Sequence, residues 1–114
     1  MTEVRRHPRF QVNFGSMFSG AQFAGNGTIA DLSVSGCSIT SKVTLTAKSS
    51  LALQIELPDS PWPLHVERAI VQWAKGNTFG VEFEQLSLND TDRLHKLIQD
   101  LEHGPLIVIR RANG

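Results

Sequence analysis

One cysteine, Cys37, and no tyrosine occur in the 114 residues of this chain. A lone thiol excludes a disulfide framework within the chain and a cysteine-based structural zinc site. Net charge is also missing: eleven Lys and Arg balance eleven Asp and Glu. A general electrostatic binder of DNA or RNA carries a basic excess that this chain lacks. A barrel that stacks single-stranded bases needs aromatic side chains spread over a basic face, and the six Phe here mostly alternate as core positions. The longest uninterrupted apolar run is Leu106–Ile109, so no spanning helix and no membrane insertion are expected. No apolar stretch follows Met1–Arg6, so no signal peptide is expected and the expected location is the cytoplasm. Gly15, Gly20, Gly25 and Gly27 are too scattered for a phosphate-binding or dinucleotide-binding loop. His7, His65, His95 and His103 form no HxH or HxxxH pair, and no acid–base pair is assembled. The chain therefore reads as a non-enzyme without metal or cofactor.

What remains has the composition of one globular domain, with 40% hydrophobic and 19% charged residues. Extended segments dominate. Phe10, Val12 and Phe14 alternate with polar residues, and so do Leu51, Leu53, Ile55 and Leu57 ahead of Pro58. Gly25-Asn26-Gly27 reads as a turn before a strand at Thr28–Asp31, and Cys37–Thr40 as a short strand after Gly36. Alternation would bury Cys37 as a core thiol. A longer run from His65 to Lys75 places Ala69, Val71 and Trp73 on one face. Gly76-Asn77 turns it back into Phe79, Val81 and Phe83. Six short strands at this spacing predict an all-β chain, a closed or nearly closed antiparallel barrel. Leu94, Leu97, Ile98 and Leu101 make one helical stripe, with Asn89 as N-cap and His103-Gly104-Pro105 as stop. That helix is expected to cover one end of the barrel. Leu106–Ile109 reads either as an extra strand or as a contact with a partner chain.

The charge is zero only in sum. Residues 1–50 carry five basic groups against two acids, and residues 53–102 carry four against nine. The basic excess begins in Arg5-Arg6-His7-Pro8-Arg9. Three guanidiniums so close repel one another unless an anion sits among them, and Pro8 holds the segment extended. Arg forks match phosphate oxygens and also guanine O6 and N7, and their planes stack on bases. A disordered basic tail is the alternative. The second constellation is Asp31-Leu32-Ser33-Val34-Ser35-Gly36. A carboxylate at a strand end accepts from the N1–H and N2–H₂ groups of guanine, and a neighbouring hydroxyl bonds base or phosphate. Gly36 permits a positive φ or a close approach. The same residue types also make an Asx or ST turn.

Together the two constellations resemble the PilZ domain family, whose signature is RxxxR followed some twenty to thirty residues later by (D/N)xSxxG. Arg5-x-x-x-Arg9 and Asp31-x-Ser33-x-x-Gly36 match without substitution, and Val71-Gln72-Trp73 with Gly80-Val81-Glu82-Phe83 resembles the family's late strand pair. The resemblance covers roughly residues 3–103. It implies a six-stranded antiparallel β-barrel of PilZ type with a C-terminal α-helix covering one end, and a receptor for the bacterial second messenger cyclic di-GMP. Its organisation would be a basic arm over 1–9, barrel plus helix over 10–103, and a tail over 104–114. Arg5 and Arg9 would contact phosphate and guanine, with Arg6 auxiliary. Asp31 and Ser33 would read guanine, Gly36 would give the backbone room, and Trp73 would lie beside the ligand or else pack in the core. Binding would order the arm over the barrel mouth and change the surface shown to an effector protein, which the sequence does not identify. A PilZ-like interaction module that no longer binds the nucleotide is the competing reading.

Overall fold

Alternation of apolar and polar residues builds six strands, and a computed structural model shows how they close. It describes the backbone of residues 7–113 and the side chains of 7–103. The elements are β1 (Phe10–Ser19), β2 (Ala24–Leu32), β3 (Gly36–Ser41), β4 (Ser50–Ile55), β5 (Leu64–Lys75), β6 (Thr78–Gln85) and α1 (Leu88–Asn113). All pairings are antiparallel, in the order β1-β2-β3-β6-β5-β4, and β4 pairs back onto β1 to close the barrel. The inward residues of every strand fill the interior. Ile29, Ile39, Ile55 and Leu64 are fully buried, and Phe18 meets Phe79 edge-on with ring centroids 5.4 Å apart. Each such side chain contributes about 1.5–3 kcal/mol by leaving water. Cys37 sits in this core, as the alternation predicts.

α1 presents the expected stripe: Leu94 and Ile98 are buried in the barrel core, with Leu97 and Leu101 packed beside them. Its ends differ from the sequence reading. Ser87, not Asn89, caps it. Ser87 Oγ accepts from Asp90 N (3.0 Å) and donates to Asp90 Oδ2 (2.9 Å), a reciprocal cap one residue outside the helix. Nor does His103-Gly104-Pro105 stop it, since the helix runs on to Asn113. Proline in a helix interior removes one N–H donor and crowds the carbonyl of the preceding turn, a cost of about 3 kcal/mol relative to alanine that does not by itself end a helix. An extra strand at Leu106–Ile109 has no place, because a barrel closed between β1 and β4 leaves no edge to pair with.

Two further expectations are corrected. Gly25-Asn26-Gly27 lies inside β2, and the chain turns earlier, where Gly20 N donates to Phe23 O (2.9 Å). The glycines serve close packing rather than a turn: a Cβ on Gly27 would meet Thr40 O at 2.5 Å, and one on Gly25 would meet Val43 Cγ2 at 2.6 Å. Trp73 does not share the inward face of Ala69 and Val71. A bulge between Val71 and Trp73 reverses the alternation and turns the indole outward. Gly76 turns the β5–β6 hairpin as expected, with φ +60°.

Candidate functional site

The site assembles where β2 ends. Ser33 N donates to Gly36 O (2.8 Å), closing a tight turn between β2 and β3. Ser33 Oγ accepts from Ser35 N (3.1 Å) and Gly36 N (3.2 Å) and also reaches Gly36 O (3.3 Å). The hydroxyl is fully committed, and the residue is only 1% exposed. Ser33 is thus an ST-turn residue in this structure, holding the loop rather than facing solvent. Gly36 does not use a positive φ. Its missing side chain matters because a Cβ there would stand 2.2 Å from Val81 O, so only glycine lets β3 lie this close to β6. The loop is further pinned by Phe83 N donating to Ser35 O (2.8 Å).

Asp31 is what this loop presents. Its Oδ1 accepts from Arg9 Nη1 at 2.5 Å and its Oδ2 from Ser38 Oγ at 2.9 Å. The two ionic side chains are each about one-third exposed (33% and 32%). Such a surface pair contributes about 0–1 kcal/mol. The RxxxR and DxSxxG segments, 22 residues apart at Arg9 and Asp31, therefore meet at one point on the barrel wall. Arg5 and Arg6 lie outside the described residues.

Register carries the site across the sheet. Asp31 pairs with Ser38, Ser38 with Gly80, and Gly80 with Trp73. Paired residues share a face, and Ile39, Cys37, Phe79 and Val81 point inward, so this row lies on the outer wall. Trp73 lies over Gly80, where a Cβ would stand 2.3 Å from its Nε1, and stays 44% exposed. The wall thus offers an ion pair at one end, a hydroxyl between, and a flat indole at the other. Sequence reasoning missed Ser38. Alternation from Cys37 and Ile39 shows that it faces outward, but placing it beside Asp31 requires the β2–β3 register, which a bulge between Ile29 and Asp31 shifts.

Below the site, burial pushes the Cys37 thiol pKa far up; Asp31 adds to the rise and Arg9 partly offsets it. The thiol is inert core, not a nucleophile.

Comparisons with known proteins agree with this architecture. The family model of the PilZ domain matches residues 3–100. A search of curated protein sequences found no match. Among solved structures, YcgR of Escherichia coli in complex with c-di-GMP superposes with a TM-score of 0.78 at 14% identity, over 95% of this chain and 50% of that one. The isolated PilZ domain of YcgR with c-di-GMP gives 0.71 at 13% identity, covering 90% and 95%. The Bacillus subtilis inhibitor of motility MotI/DgrA gives 0.68 at 16%, covering 98% and 53%. The chain therefore spans about half the length of MotI and of full YcgR. At these identities the structural likeness speaks for the fold alone.

Proposed function

The chain belongs to the PilZ domain family, and from that membership we propose that it is a receptor for cyclic di-GMP, bound on the outer wall between Arg9 and Trp73. The meeting of Arg9 with Asp31 carries the reading. A carboxylate has about four acceptor positions. Arg9 and Ser38 take one on each oxygen, which leaves one on each for the N1–H and N2–H₂ of a guanine. Arg9 spends only Nη1 on Asp31 among the described residues. Its other N–H groups then serve guanine O6 and N7 or a phosphate. The ion pair, which contributes about 0–1 kcal/mol, occupies one of five guanidinium donors, and a bidentate Arg–guanine contact made by the others discriminates against a wrong base by about 1–3 kcal/mol.

In this reading Arg5 and Arg6 add phosphate contacts, and Trp73 offers its exposed face for stacking. Ser33 and Gly36 act by shaping the loop that aims Asp31, not by touching the base. Binding orders the arm over residues 1–9, and the altered surface is read by an effector protein. The role is recognition without catalysis. Known structures lend support, since YcgR is seen in complex with c-di-GMP. Calorimetric titration with cyclic di-GMP tests the proposal, with GTP and cyclic di-AMP as controls. Saturable heat for cyclic di-GMP alone is expected. Absence of heat and of any thermal shift would overturn it and leave a protein-interaction module.

A further inference from the structure

Trp62 is 72% exposed, yet the loop that carries it is firmly held. The chain between β4 and β5 contains Pro58, Pro61 and Pro63. Trp62 N donates to Ser60 Oγ (3.1 Å). From α1, Arg93 donates Nη2 to Trp62 O (2.5 Å) and Nη1 to Pro63 O (2.9 Å). The same guanidinium is anchored by Asp90 Oδ1 at 3.2 Å. Prolines and a buttressing arginine keep a large aromatic side chain in water in one backbone setting. Holding it there in advance removes ordering cost from an association, and tryptophan is the residue type most enriched among energetically dominant contacts.

A cleft of about 350 Å³ is lined by Ser60 of this loop and by Pro61 and Pro63, the two prolines that flank Trp62, and it adjoins a second of about 700 Å³ through Met17 and Gln54, which line both. Met17 is 55% exposed, an adaptable apolar side chain of the kind that accepts varied partners. The guanidinium of Arg93 behind the loop is paired with Asp90, and the charges that line the clefts are carboxylates. Glu56 and Glu67 line the clefts with His65, and no Lys or Arg among the described residues does. Asp59 on the loop adds a third carboxylate, and residues 50–67 contain no Lys or Arg at all. On β2 the cleft takes Asn26, toward the opposite end of the strand from Asp31; on β5 it takes His65, far from Trp73.

We propose that this face docks a basic segment of another protein. An apolar side chain of that segment sits against Met17 and Trp62, and its Lys or Arg residues face Glu56, Asp59 and Glu67. A random peptide library displayed on phage, selected on the intact chain and depleted on Trp62→Ala, tests this. The expected survivors carry net positive charge around an apolar residue. Their affinity should fall at least tenfold in Trp62→Ala and again in Glu56→Lys, with the melting temperature of the Trp62→Ala protein unchanged. Cyclic di-GMP titration of Trp62→Ala should match the parent, which separates this face from the nucleotide site. Survivors that are acidic or uncharged, or no survivors that depend on Trp62, would overturn the proposal. So would a concentration-dependent dimer in sedimentation that Trp62→Ala abolishes, which would give the face to a second copy.

Discussion

At the scale of single residues, the motif positions divide into those that hold the loop and those it offers. Arg9 and Asp31 are offered, so their loss should cost binding and not stability. Arg9→Ala is expected to weaken cyclic di-GMP binding by at least about tenfold, given about 1–3 kcal/mol for a bidentate guanine contact. Asp31→Ala should also relax the preference for guanine over adenine, read by titration with both cyclic dinucleotides. Ser33 and Gly36 hold, so the opposite pattern applies. Ser33→Ala leaves two backbone donors, Ser35 N and Gly36 N, without their acceptor, at about 1–3 kcal/mol for a buried unsatisfied group. Gly36→Ala must push β3 from Val81 O, and overpacking of this kind costs about 1–3 kcal/mol. Denaturant midpoints should fall in both variants. Cys37 gives a test with a sign. Its raised thiol pKa means the folded chain holds the proton more tightly than the unfolded one. That contribution is full below the ordinary thiol value and declines as pH rises past it. A thiol reagent at mildly alkaline pH should label the chain only as fast as it unfolds.

Elements show what a linear reading reaches. Alternation fixed the inward faces of β1, β4 and β6, and the stripe on α1, because each rests on local periodicity. Bulges defeat it. One extra residue between Val71 and Trp73 reverses the face of the indole, and nothing in the composition of β5 marks where the extra residue falls. Glycine misled in the same way: Gly25 and Gly27 look like a turn, but their contacts are with Val43, Phe18 and Thr40 across the sheet, which only the folded register brings near. The two motifs were legible as residue types. That Ser33 closes a turn and Ser38 supports Asp31 depends on hydrogen bonds that spacing alone does not specify. The β5–β6 hairpin carries its own prediction. Gly80→Ala places a methyl against the flexible Trp73 side chain, not against backbone. The fold should persist, the indole should swing away, and cyclic di-GMP affinity should drop, as followed by tryptophan fluorescence and titration on one sample.

For the whole molecule, a ligand that binds only the folded state stabilises it by mass action, about 2.7 kcal/mol at a hundred times Kd. In a domain of this size about 1 kcal/mol moves the melting temperature by roughly 4–8 °C. Saturating cyclic di-GMP should therefore raise Tm by more than about 10 °C in a thermal-shift measurement, and GTP at equal concentration should not. The row from Asp31 through Ser38 and Gly80 to Trp73 is the reason a mononucleotide is expected to fall short. Hydrogen-bonded strands lie about 4.8 Å apart, so an indole resting over Gly80 stands about two spacings, roughly 10 Å, from the Asp31 carboxylate. The ladder sets the backbone spacing on which that separation rests, and Gly80 lets the indole lie down over it. Under the proposed binding the wall would act as a length gauge: a single base would engage one end or the other, and only a molecule with two recognition groups at that span would fill both.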